Sequence, residues 1–165
     1  MEIEVRKAEP SDAQAVKEVY QCENAYSNTL QLPHPSVEVW NKRLANIPDN
    51  VYAYVALLNG EIVGNIGFEI CVNPRRRHVG SFGMGIKDNV QGKGVGSALL
   101  ATVTDLADNW LNLKRIEISA YVDNERAINL YKKFGFEIEG ESKAFAFRNG
   151  KYVNVYHMAR IAKNL

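Results

Sequence analysis

Ile3 and Val5 alternate with charged neighbours, the period of a half-buried strand. Glu9-Pro10-Ser11-Asp12 then has the make-up of a helix start, and Ala15, Val16, Val19 and Tyr20 recur behind it at helical spacing. Residues 27–36 read as a loop stiffened by Pro33-His34-Pro35. Val37, Trp40, Arg43, Leu44 and Ile47 predict a second short helix, closed by Pro48. Tyr52–Leu58 and Glu61–Val72 are β-rich runs around Asn59-Gly60, a two-residue hairpin signal, and a further strand runs from about His78 to Lys87. Val95, Leu99, Leu100, Val103, Leu106, Ala107 and Trp110 make one apolar helix face. Arg115–Val122 predicts a strand, Asn124 to about Phe134 a helix, and Phe136–Phe147 with Lys151–Ile161 a closing hairpin around Asn149-Gly150. The predicted order is β-α-α-β-β-β-α-β-α-β-β. Hairpins call for antiparallel pairing, and strand-helix-strand around residue 100 calls for one parallel pair, giving a mixed α/β sheet with helices on both faces.

At 165 residues the chain suits one domain, 1–165, with a core large enough to need no covalent staples. A net charge of +1 provides no global field for nucleic acid or an anionic membrane, so neither partner is expected. Cys22 and Cys71 match no metal spacing, no metal is expected, and so few cysteines point to a reducing, cytoplasmic setting. The polar, alternating N-terminus has no signal- or transit-peptide character, and no apolar run approaches the ~20 residues that span a bilayer.

Chemistry concentrates in Ile86-Lys87-Asp88-Asn89-Val90-Gln91-Gly92-Lys93-Gly94-Val95-Gly96-Ser97. A strand ends there, Gly92, Gly94 and Gly96 alternate, and an amphipathic helix begins. Unpaired backbone N–H groups at a helix N-terminus favour an anion, and glycines let a phosphate approach the backbone. A tight strand-to-helix turn without a ligand would use the same residues. The GxxxxGK[ST] loop is absent, and the spacing GxGxG is not the dinucleotide fingerprint GxGxxG.

Gln91, Gly94 and Gly96 do fit Gln-x-x-Gly-x-Gly, which resembles the acetyl-CoA pyrophosphate loop of the GNAT superfamily. Downstream, Asn124, Ala127, Tyr131, Gly135 and Phe136 fit N-x-x-A-x-x-x-Y-x-x-x-G-F, which is similar to a second signature of that family. The two motifs lie in the family's order and together cover about residues 79–137. Asn28-Thr29-Leu30-Gln31, Pro33-His34-Pro35 and the ending from Arg148 to Arg160 further resemble a bacterial subgroup thought to acetylate amino acids. The resemblance implies a mostly antiparallel sheet of six or seven strands, helices on both faces, and a central parallel pair splayed by a bulge.

It also implies an acyltransferase using acetyl-CoA as cosubstrate, in direct attack by an amine within a ternary complex. Cofactor-binding positions carried over are Met84, Gly85 and Ile86 on the strand edge, Gln91, Gly92, Lys93, Gly94, Val95, Gly96 and Ser97 in the loop, and Asn124, Ala127 and Tyr131 downstream. Gly83 and Gly85 would tolerate the distortion that frees that edge. Tyr131 matches the family's general acid, although its place on the Ala127–Phe134 stripe also suits a core aromatic. Asn124 reads equally as an N-cap. The general base is open: Gly80 stands about where some members carry glutamate, leaving His78, Glu117, Glu69 or a water chain. The Arg75-Arg76-Arg77 run reads as a solvated turn, and His34 and His157 are further candidates for the acceptor site.

The leading expectation is therefore N-acetylation of a small primary amine, an amino acid among them, with a homodimer common among similar proteins. The competing readings are acetylation of a protein N-terminus or lysine, which calls for an open groove, and a non-catalytic CoA-binding module. The 27–36 loop and the hairpin bearing Phe145, Phe147, Tyr152 and Tyr156 are expected to close over a small ligand.

Overall fold

The computed structural model describes residues 2–163. In chain order the elements are β1 (Ile3–Lys7), α1 (Ala13–Gln21), α2 (Glu23–Ser27), α3 (Val37–Ala45), β2 (Val51–Leu58), β3 (Glu61–Ile70) and β4 (Val79–Ile86), then α4 (Val95–Asn109), β5 (Arg115–Tyr121), α5 (Glu125–Lys133), β6 (Glu137–Arg148) and β7 (Lys151–Ile161). The strands form one sheet in the order β1-β2-β3-β4-β5-β7-β6. Every pairing is antiparallel except β4 with β5.

Two hairpins form as their turn residues predict. Asn59 and Gly60 adopt φ 51° and 86°, and Asn149 and Gly150 adopt 49° and 79°, the left-handed pair that matches the twist of the flanking strands. One element is additional. The helix expected from residue 12 stops at Gln21 because Cys22 is extended (φ −69°, ψ 136°), and α2 starts again at Glu23. Residues Pro10–Asp12 form a 3-10 turn in which Asp12 accepts from the Glu9 backbone N–H at 2.8 Å and from both terminal nitrogens of Arg6 at 2.8 and 2.9 Å.

Successive side chains of a strand point to opposite faces, and β2 shows the consequence. Val55 packs with Val16, Val19, Tyr20, Trp40 and Leu44 under α1 and α3, whereas its neighbour Ala56 packs with Leu99, Leu100 and Val103 of α4. Helices thus cover both faces. Each fully buried aliphatic side chain among them contributes roughly 1.5–3 kcal/mol relative to exposure. Trp110 departs from the expected apolar face of α4: the helix ends at Asn109, and the indole is 77% exposed.

The pairing of β4 with β5 positions the site. It covers only Val79 with Arg115, Gly80 with Ile116, and Ser81 with Glu117. Beyond Ser81 the strands diverge, so Phe82–Ile86 stay paired with β3 on one side and present a free edge on the other. The expected bulge is not in β4, whose register against β3 runs unbroken from Gly80 to Ile86. Gly85 answers a different need: a Cβ there would lie 2.5 Å from Cε1 of Tyr20. At Gly80 a Cβ would meet Phe68 Cζ at 2.6 Å, so no glutamate fits at that position. Among the described residues no helix is long and apolar enough to cross a membrane.

Candidate active site

The free end of β4, the loop after it and the start of α4 enclose a cavity of about 380 Å³. Gly92 and Gly94 sit at φ 77° and 87°, a region where a side chain is strained, and a Cβ at Gly92 would meet nothing within 4 Å. Gly94 caps α4 without any side-chain hydrogen bond, and the first backbone donor to find a helical acceptor is Ala98 N–H, bonded to Gly94 O at 3.0 Å. The N–H groups of Val95, Gly96 and Ser97 therefore remain at the positive end of the α4 dipole. Gly96 is small for packing, since a Cβ would lie 3.0 Å from Leu130 Cδ2 and 3.1 Å from Ile86 Cδ1. Gln91 fixes the loop: its Nε2 donates to Ile86 O at 3.2 Å, and its Oε1 accepts from Arg126 Nη1 at 3.1 Å.

Met84, Gly85, Ile86, Gln91, Gly92, Gly94, Val95, Gly96, Ser97, Asn124, Ala127 and Tyr131 all line this cavity. Lys93 does not; it is exposed on the outer side of the loop. Asn124 caps α5, its side chain accepting from Ala127 N–H at 3.3 Å. Asn28, Leu130 and Arg126 also line the cavity, although the motifs assign none of them to the cofactor, because only the fold brings the end of α2 and this face of α5 to the loop.

A second, larger cavity of about 840 Å³ opens where β4 and β5 diverge. Asn28, Met84 and Tyr131 line both cavities, so the two meet at these residues. The chain from α2 to α3 spans the opening, pinned by Tyr121 Oη donating to Thr29 O at 2.9 Å. The Tyr131 ring packs edge-on against Phe82, with centroids 5.5 Å apart, and lies 5.8 Å from Phe136. Its hydroxyl has no protein partner among the described residues, yet it is not sealed, since it reaches the cavity junction. Burial pushes the phenol well above its ordinary range, so it stays protonated at any physiological pH.

The candidate bases separate by position. His78 and Glu69 are exposed and line neither cavity. Glu117 lines the larger cavity but is held by Arg76 at 2.7 Å and Arg115 at 3.0 Å. Burial alone would raise its carboxyl; the two guanidinium groups outweigh that and leave it below the usual range. His157 lines the larger cavity between two hydroxyls, Ser119 Oγ at 3.0 Å from Nδ1 and Ser142 Oγ at 2.6 Å from Nε2. Ser119 and Ser142 carry no sequence motif; only the β5-β7-β6 pairing brings them to the histidine. His34, at φ 60°, lines neither cavity. Of the aromatic residues expected to close over a ligand, Phe145 lines the larger cavity, whereas Phe147 and Tyr152 are 66% and 72% exposed.

An uncapped helix N-terminus, a free strand edge and a buried phenol where two cavities meet are the arrangement expected of a GNAT-type group-transfer enzyme. Residues 16–136 match the acetyltransferase (GNAT) family, to which the chain belongs; it is an N-acetyltransferase of that family. It is 44% identical over 160 residues to the L-amino acid N-acetyltransferase AaaT of Escherichia coli strain K12, covering 97% of this chain and 98% of that one. Among solved structures, the GNAT-family acetyltransferase of Streptococcus pneumoniae superposes with a TM-score of 0.83 at 27% identity, over 98% of this chain and 100% of that one. The spermidine N-acetyltransferase of Vibrio cholerae, in complex with CoA and spermine, gives 0.83 at 25% identity, over 96% and 95%. The family uses acetyl-CoA.

Proposed function

We propose that this protein transfers the acetyl group of acetyl-CoA to the primary amine of a small molecule, an L-amino acid. The observation that carries the reading is the junction at Tyr131, where a cavity built for an anionic cofactor meets one large enough for an acceptor. The choice of an amino acid is supported by the likeness to AaaT, which extends over nearly the whole of both chains.

The residues of the smaller cavity fit such a cofactor. The N–H groups of Val95, Gly96 and Ser97 would hold its pyrophosphate, Gly92 and Gly94 would leave room for it, and Lys93 would add a cation from outside. The free edge at Met84–Ile86 takes the pantetheine arm, beside Asn124 and Ala127. When bound, acetyl-CoA supplies an activated acyl group as a thioester. Backbone N–H groups on the free edge of β4 would polarise its carbonyl. Tyr131 Oη, on a residue that lines both cavities, would hold the proton that the departing thiolate takes up. On the acceptor side, His157, hydrogen-bonded to Ser119 at 3.0 Å in the wall of the larger cavity, would take up the proton that the amine must lose. We read the chain as one catalytic domain working in the cytoplasm, with Cys22 and Cys71 free, in keeping with a reducing compartment.

CoA release by the purified protein, followed over a panel of amino acids, spermidine and a peptide with a free N-terminus, tests the reading. Turnover is expected with amino acids. Release with spermidine alone or with the peptide alone overturns the choice of acceptor, and no release with any amine overturns the activity.

A further inference from the structure

Two arginines line the larger cavity, and they differ in what surrounds them. Arg115 is paired with both Glu117 and Glu139. Arg43 has no carboxylate within ion-pair distance among the described residues; one Nη1–H donates to Gln31 Oε1 at 3.1 Å, and its other N–H groups make no hydrogen bond to the protein. An arginine has five donors, and an unpaired one at a cavity wall is free to engage a ligand's oxygens two at a time.

The guanidinium is held in place rather than loose. It lies over the Trp40 ring at 4.8 Å, and Trp40 stacks on Tyr20 with centroids 4.9 Å apart and 9° between planes. Tyr20 Oη donates to Asn65 Oδ1 at 2.8 Å, and Asn65 Nδ2 donates to Tyr54 O at 3.0 Å, so the column is anchored in the sheet. Gln31 lies in the same segment that Tyr121 pins through Thr29. A pre-positioned fork of this kind gives up little conformational freedom when it binds.

Resting on the amino-acid reading above, we propose that Arg43 is the carboxylate anchor of the acceptor site and the residue that selects α-amino acids over amines lacking an acid group. The negative groups of the same cavity, Glu117 and Glu139, lie on the β5-β6 arm and are already neutralised by arginines. The carboxylate end of a zwitterion is therefore drawn to the α3 side of the cavity, the side that carries the unpaired positive charge. A polyamine, cationic along its length, meets an uncompensated positive charge there and is disfavoured.

The test compares kcat/KM for an amino acid and for its primary amide, in the wild type and in Arg43→Gln and Arg43→Lys, with thermal melting to confirm folding. In the wild type the acid is expected to exceed the amide by about 10- to 100-fold, the worth of a charge-assisted pair at a partly exposed site. Arg43→Gln should bring that ratio close to one, mainly through KM for the acid. Arg43→Lys, which keeps the charge and loses the fork, should fall between, and it carries the test should the glutamine variant not fold. A ratio near one in the wild type, or a large ratio persisting in the variants, overturns the anchor while leaving amino-acid acetylation standing. Release of CoA with spermidine and with no amino acid removes the underlying reading, and the anchor with it.

Discussion

Replacing Tyr131 by phenylalanine deletes one oxygen and leaves the ring. The ring's contacts with Phe82 and Phe136, centroids 5.5 and 5.8 Å away, survive the change. The hydroxyl has no protein partner among the described residues to lose, so stability should move by no more than about 0.5 kcal/mol, and a tyrosine that served packing alone would be silent in catalysis as well. The functional expectation is different. A positioned proton donor contributes on the order of 10²-fold, so the single-turnover rate of Tyr131→Phe should fall by about that factor with acetyl-CoA affinity retained. Burial makes this phenol a weaker acid than a free one. The same surroundings would disfavour a thiolate too, so the two ionisations would move in the same direction. The loss should shrink with a thioester whose thiol is more acidic, because that leaving group needs less help. Single-turnover measurement is the right assay, since product release can mask a chemical defect in steady state. A wild-type single-turnover rate in Tyr131→Phe would refute the reasoning and return the residue to the core.

Gly94→Asp should abolish cofactor-induced stabilisation, which in the wild type is about 2.7 kcal/mol at 100 times Kd: position 94 has φ 87°, and an added carboxylate would stand at the helix end proposed to hold phosphate. Thermal shifts with and without acetyl-CoA check this, and an unchanged shift would remove the loop from the cofactor site. Asp12→Asn should destabilise the fold by about 1–3 kcal/mol in urea titrations at pH 7, the lower part of the range being favoured because Arg6 is 35% exposed. Hydrogen bonding by Arg6, against the opposing effect of burial, holds the Asp12 carboxyl below its ordinary range. Its contribution is therefore complete above about pH 4 and lost as pH falls further, so the difference between wild type and variant should close in acid.

Much of the architecture is legible because its determinants are local. Asn59-Gly60 and Asn149-Gly150 name their turns through the two residues that tolerate positive φ, and α4 announces itself by Leu99, Leu100, Val103 and Ala107. The loop from Gln91 to Ser97 is legible for the same reason, as its glycine spacing and the helix that follows are contiguous. What escapes the sequence depends on distant partners. Gly80 and Gly85 look like weak points in a strand, but the first makes room for Phe68 and the second for Tyr20. His78 and His157 are indistinguishable as residue types; the topology turns one outward and sets the other between Ser119 and Ser142 in the cavity wall. Arg43 reads as one more polar position on a short helix until the column of Trp40 and Tyr20 beneath it is seen.

The two cavities have a common origin in the strand pair at the centre of the sheet. Three residue pairs hold β4 to β5, and the right-handed twist that every sheet carries would ordinarily be followed by both strands together. Here β4 continues with β3 and β5 continues with β7, so each strand is fully paired on its outer side while the inner side opens. The unpaired backbone of Phe82–Ile86 would be costly if it were sealed in apolar packing; lining a cavity leaves it open to solvent or to a ligand. Phe82 and Tyr131 meet at the mouth of that opening, and Tyr121 tethers the segment that crosses it. Closing the gap by continued β4-β5 pairing would satisfy the backbone, but it would also remove the larger cavity's inner wall and bury the Tyr131 hydroxyl without a partner. The short parallel pairing is thus the feature on which the free edge of β4, the larger cavity and the openness of the Tyr131 hydroxyl all depend.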